Sequence, residues 1–180
     1  MTSSSGGFEL RGQDGDETRV LAHVQLGYSI ALPGRPVLVE STSESPRYDA
    51  VLRMQDAPIE LGLRIDEVPT AVSPDNLVTS LLSAYAQTRA GDATKLKPSV
   101  LDGKVLAPGA VAGARVNYAL RGDDPDAMEF LAISAKTLRS ATYVLHLTVR
   151  YRKSETSPFA WSSLRSALLA HQSWTPGELP

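Results

Sequence analysis

Apolar and polar residues alternate with a period of two along most of the chain, the pattern of strands buried on one face. Gln25 to Leu32 reads as a first strand, stopped by Pro33-Gly34. Tyr48 to Gln55 sets Tyr48, Ala50, Leu52 and Met54 on one face and Asp49, Arg53 and Gln55 on the other. After Asp56-Ala57-Pro58, the residues Ile59, Leu61, Leu63 and Ile65 alternate with Glu60, Gly62, Arg64 and Asp66, which completes a hairpin. Three later runs repeat the pattern. They are Ala112 to Arg121, Glu129 to Lys136 with Leu131, Ile133 and Ala135 as its apolar set, and Thr142 to Tyr151 with Leu145, Leu147 and Val149. They are consecutive and closely spaced, so they predict an antiparallel meander. Asp123, Asp124, Pro125 and Asp126 supply a turn within it.

The period changes to that of a helix in two places. Ser73 is placed to cap, Pro74 and Asp75 suit the first turn, and Leu77, Leu81 and Tyr85 form a stripe that Gly91 ends. Ser157-Pro158 opens a second helix, with Trp161, Leu164, Leu168 and His171 on one stripe. A short strand pair is expected around Asp102-Gly103. The fold expected is therefore α+β: one antiparallel sheet of about six or seven strands packed with two principal amphipathic helices. Its predicted core runs through Ile30, Leu52, Met54, Leu61, Leu63, Leu81, Tyr85, Val116, Tyr118, Leu131, Ile133, Leu145, Leu147, Leu164 and Leu168.

Composition narrows the function more than it names one. The 180 residues fit a single domain. Residues 1–19 are polar and rich in Gly and Ser, and are expected to form a mobile tail; residues 20–174 form the domain, and 175–180 fray. No basic segment followed by an apolar run opens the chain, so a cytoplasmic protein is expected. No apolar run approaches a membrane span. A net charge of -2 with scattered basic residues points away from nucleic acid and anionic membranes. The absence of cysteine removes thiolate nucleophiles, disulfides and most zinc sites.

Catalytic motifs are weak. Gly27-Tyr28-Ser29-Ile30-Ala31 resembles a nucleophile elbow in letters, yet the elbow needs a strand-to-helix turn and here a strand continues. His23, His146 and His171 stand apart, without the spacing of metal ligands. Asp123, Asp124, Asp126 and Glu129 gather carboxylates, but in no calcium-loop register, and read as a solvated turn. No catalytic, cofactor or metal residue is assigned, and the expectation is a chain that is not an enzyme.

The opening strand carries Leu26-Gly27-Tyr28-Ser29-Ile30-Ala31-Leu32-Pro33. With the order strand-strand-strand, long helix, antiparallel strands, C-terminal helix, this resembles PsbP-like domains. That family includes the PsbP subunit of photosystem II, a Ran-binding nuclear import factor, and DcrB-type and mycobacterial lipoprotein members. The resemblance spans roughly Val24 to Trp174; a tryptophan usual after the proline is replaced by Arg35-Pro36-Val37. It implies an antiparallel sheet packed with helices, and binding or scaffold roles more than catalysis. It carries over no functional residue.

One surface stands out. Were the three late strands to share a polar face, it would carry Arg115, Asn117, Arg121, Lys136, His146, Thr148 and Arg150. Such a face is either solvated sheet or a contact surface for an acidic protein partner or a second copy of the chain. The functional expectation is a non-enzymatic binding module, acting as adaptor, chaperone or accessory subunit without cofactor. Two other readings stay open. One is a small-ligand carrier with a pocket between the sheet and the helix from Pro74 to Arg89; the other is a hydrolase using Ser29.

Overall fold

The computed structural model describes residues 3–5, 7–13, 15–39, 48–69, 73, 76–77, 80–81, 84, 112–118, 126–138, 140–170 and 172–174. The alternating segments do form strands, but they sort into two antiparallel sheets rather than one. The first holds β1 (Ser3–Ser5), β2 (Phe8–Arg11), β3 (Thr18–His23), β4 (Tyr28–Pro33) and β11 (Gln172–Trp174), in the order β1-β2-β3-β4-β11. The second holds β5 (Pro36–Val39), β6 (Ala50–Met54), β7 (Ile59–Val68), β8 (Ala112–Tyr118), β9 (Ala127–Leu138) and β10 (Ala141–Arg152), in the order β5-β6-β7-β10-β9-β8. The expected hairpin is β6–β7, and the meander is β8–β9–β10.

Local chemistry explains the division. The chain leaves the first sheet at Pro33 and enters the second at Pro36 through Gly34 and Arg35, both left-handed with φ of 86° and 50°. Proline fixes its own φ and gives no N–H to a ladder, so the two prolines bracket the corner. The predicted strand from Gln25 is also cut. Val24–Leu26 make a single 3-10 turn that Gly27 closes at φ 64°, donating its N–H to the Val24 carbonyl at 3.2 Å. A residue with a Cβ is strained there, and glycine is not.

One apolar cluster joins both sheets. Phe8, Leu10, Leu21, Tyr28, Ile30 and Leu32 come from the first sheet; Leu52, Leu61, Leu63, Phe130, Leu145, Leu147 and Val149 come from the second. The helix α1 (Pro158–Ala170) adds Leu164 and Leu168. It starts as the sequence predicts: Ser157 Oγ accepts the Ala160 N–H at 3.1 Å, and the Ser157 carbonyl accepts the Trp161 N–H. A second, smaller cluster of Leu131, Ile133, Ala135 and Val144 lies on the other side of the late strands, with Val68, Leu77 and Leu81 packed on it.

Three expectations need correcting. The chain is sheet-rich, and α1 is the single complete helix among the described residues. Within the other expected helix, Asn76, Leu77, Ser80, Leu81 and Ala84 have helical backbone. The Leu77 N–H donates to the Ser73 carbonyl at 3.0 Å. Its remaining positions, Tyr85 and Gly91 among them, lie outside the described residues, as do the strand pair around Asp102-Gly103 and residues 175–180. Second, residues 8–11 are not a tail: they are β2, where Phe8 and Leu10 are fully buried and alternate with Glu9 and Arg11. Third, the strand β11 was not expected. It pairs with β4 through Gln172↔Ile30, Ser173↔Ser29 and Trp174↔Tyr28.

Candidate functional site

The expected cationic face is dispersed by strand register. His146, Thr148 and Arg150 of β10 lie opposite Ile133, Leu131 and Glu129 of β9. Arg115 and Asn117 of β8 lie opposite Ala132 and Phe130, which are themselves opposite Leu147 and Val149. Alternation therefore sets Ala132 and Phe130, the register partners of Arg115 and Asn117, on one side of the sheet and His146, Thr148 and Arg150 on the other. Lys136, opposite Tyr143, goes with the first side, and its Nζ donates to the Trp174 carbonyl at 2.7 Å. Arg121 lies outside the described residues. The physical reason is β9: its described residues are buried continuously from Glu129 to Ala135, so both parities carry apolar side chains. The set Leu131, Ile133, Ala135 belongs to the His146 side, not to the side of Leu145 and Leu147.

The charges that do share the His146 side are matched. Arg150 Nε meets Glu129 Oε2 at 3.1 Å, and the Glu129 side chain is 3% exposed. Arg53 meets Glu60 at 3.3 Å, Arg64 meets Asp66 at 2.7 Å, and Arg152 meets Glu155 at 3.2 Å. His146 Nε2 lies 3.1 Å from Asp66 Oδ2. Burial pushes this imidazole below the ordinary histidine range; the Asp66 charge opposes that, and Arg64 adds to it. Arg150 also stands over the Tyr48 ring, 5.9 Å from its centroid. With carboxylates interleaved among the cations, the field that would steer an acidic partner is largely cancelled.

Among the described residues no histidine shares a sheet face with Ser29. Ser29 lies opposite Ala22 and His23 opposite Tyr28, so on adjacent strands Ser29 and His23 project to opposite sides of the first sheet. His23 is packed edge-on against Phe8 at 5.0 Å, and burial lowers its pKa. His146 is in the second sheet. His171 lies outside the described residues, as do Asp123 and Asp124. Asp126 binds the Ser154 N–H and hydroxyl, with Arg152 Nε 3.6 Å from its Oδ2, and the Ser154 bonds chiefly hold its carboxyl below the ordinary range. Among the described residues no group of three or more His, Asp or Glu could hold a metal ion, and no helix is long and apolar enough to cross a membrane.

One concavity, of about 500 Å³, lies by Glu129, Arg150 and Tyr151 among the paired charges; another flanks α1. Two adjoining lobes, of about 510 and 560 Å³, share Thr18, Pro33, Phe159 and Ser163 as lining. The first continues along Ala31, Ser162, Ser166 and Ala167. The second runs to Glu17, Gly34, Arg35, Met54, Asp56 and Ser157 at the corner between the sheets. Phe159 stands between them, 83% exposed, the most exposed large apolar side chain among the described residues. It sits off the buried stripe because Leu164 and Leu168 fix the inward side of α1. Arg35 Nη1 and Asp56 Oδ1 face each other loosely at 3.8 Å. Sequence reading missed this cleft because its walls come from four separate segments, around Thr18, Pro33, Asp56 and Phe159. The one signal was Phe159, an aromatic residue outside the helix stripe.

No protein-family model matches the chain, and no curated protein matches it. Solved structures share its architecture over most of their length, among them the following two. Cyanobacterial PsbP (CyanoP) from Synechocystis is 18% identical, covers 92% of this chain and 97% of its own, and superposes with a TM-score of 0.59. LpqN of Mycobacterium tuberculosis, described as involved in cell envelope biogenesis, is 12% identical over 90% of this chain and 87% of its own, with a TM-score of 0.56. At such identities the likeness is one of fold, and it bears out the resemblance first carried by Gly27 to Pro33: this chain has the PsbP-like α+β architecture of paired antiparallel sheets and a C-terminal helix.

Proposed function

We propose that this chain is a non-enzymatic binding module that holds its client in the cleft beside α1. The observation that carries the reading is Phe159: an aromatic ring 83% exposed between two adjoining lobes. Single exposed apolar residues are ordinary, but this one lines two adjoining concavities, each of a volume within the range of small-molecule sites. The shared fold with CyanoP and LpqN supports an accessory or binding role, and among the described residues no histidine stands on the sheet face of Ser29. The paired charges around Arg150 are less suited to the role than an unpaired ring.

The test is in the native host. A photo-crosslinking phenylalanine analogue at position 159 should form a discrete adduct, identified by mass spectrometry. The same analogue at Arg53, exposed on the second sheet, should not. Equal capture at the two positions, or none at 159, overturns the reading.

A further inference from the structure

We infer that the cleft beside α1 takes a neutral oligosaccharide, one sugar ring lying against Phe159; the inference rests on the docking reading above. The donors and acceptors of the cleft point to this class. Along the first lobe the polar lining is hydroxyl alone: Thr18, Ser162, Ser163 and Ser166, with no charged side chain among its lining residues. A hydroxyl both donates and accepts, and so does every hydroxyl of a sugar, so the two surfaces can match whichever way each O–H turns. A charged ligand would leave water there without a counter-charge, which is unfavourable. Charge enters only in the lining of the second lobe, where Glu17 and Asp56 can accept and Arg35 can donate.

The aromatic platform fits the same ligand. A pyranose has one face lined with C–H groups, and the negative face of a phenyl ring attracts such weakly positive hydrogens. Lobes on both sides of the ring suit a chain of sugars, and both volumes are within the range of small-molecule sites. An extended peptide is less well served. Its affinity would come largely from main-chain hydrogen bonds to a free strand edge, whereas Thr18 and Ala31 belong to β3 and β4, interior strands of their sheet.

The experiment uses the full chain and an array of neutral oligosaccharides, followed by calorimetry with maltotetraose, cellotetraose and chitotetraose. At least one oligosaccharide should bind, and Phe159→Ala should weaken it roughly tenfold. Ser166→Ala should weaken it less. Both residues are exposed, so the melting temperature of each unliganded variant should equal that of the parent. Absence of binding across the array, or equal affinity in Phe159→Ala, overturns the inference. If in addition the analogue at 159 traps a protein, the saccharide is wrong and the docking reading stands; if it traps nothing, both fall together.

Discussion

Trp174 is placed to tie the two sheets together, and its replacement by alanine should be among the most damaging single changes in the domain. The residue belongs to β11 in the first sheet, yet its Nε1–H donates across to Ser134 Oγ of β9 in the second, at 3.2 Å. The ring is 2% exposed and meets Tyr28 edge-on at 5.0 Å. Truncating a buried tryptophan costs about 3–5 kcal/mol through lost burial and the cavity left behind. For a chain of this size each kcal/mol lowers the melting temperature by about 2–4 °C, so a fall of roughly 6–20 °C is expected. Trp174→Phe keeps most of the apolar surface and isolates the bond. It leaves Ser134, itself 1% exposed, short of its donor at a cost of about 1–3 kcal/mol. Adding Ser134→Ala should recover part of that loss. Urea titration followed by circular dichroism measures all four corners of this cycle; Trp161, the other tryptophan, gives a second probe. A loss below about 1 kcal/mol for Trp174→Ala would mean that β11 lies outside the cooperative unit, and a coupling of zero would refute the cross-sheet bond.

Other parts of the molecule give sharper contrasts. A Cβ on Gly62 would fall 2.5–2.6 Å from Tyr48 ring atoms. Gly62→Ala should therefore destabilise by about 1–3 kcal/mol, with much of the loss suppressed in a Tyr48→Ala background when both are measured by denaturation. Arg150→Ser should cost about 1–3 kcal/mol, because it takes an ion-pair partner from a carboxylate that is 3% exposed. Arg53→Ser breaks an open pair and should cost no more than about 1 kcal/mol; equal losses in the two would show that burial of Glu129 is not what matters. His23 and His146 are both held below their ordinary pKa by burial. The unfolded chain then binds more protons than the folded one in the window below 6.5. Their contribution is complete above 6.5 and is lost as pH falls through it, so the melting temperature should drop between about pH 7 and 5, and less steeply in His23→Gln. A flat profile in the parent would contradict the placement of both rings.

The period-two pattern revealed which segments are strands, because alternation is a local property of six to ten residues. Which face each strand turns to its neighbour is not local, and a shift of one residue exchanges the faces completely. For most strands the sequence resolves this, since one parity is plainly apolar. β9 does not, because Phe130 and Ala132 face the main core while Leu131, Ile133 and Ala135 build the second cluster. Reading its apolar set as the partner of Leu145 and Leu147 was the single step that gathered Arg115 with Arg150. The carboxylates of Glu60, Asp66 and Glu129, which neutralise that surface, were visible all along, but only register brings them beside their arginines. The opposite error hid β2: its alternation of Phe8, Glu9, Leu10 and Arg11 is as regular as any in the chain, and the surrounding Gly and Ser outweighed it. The cleft depends on still less local information. Phe159 acquires meaning only because Gly34 and Arg35 turn the chain from one sheet to the other beneath it. A sequence can announce an aromatic residue with no place in its helix stripe; only the corner made by Pro33 and Pro36 shows that the residue has a cleft on either side.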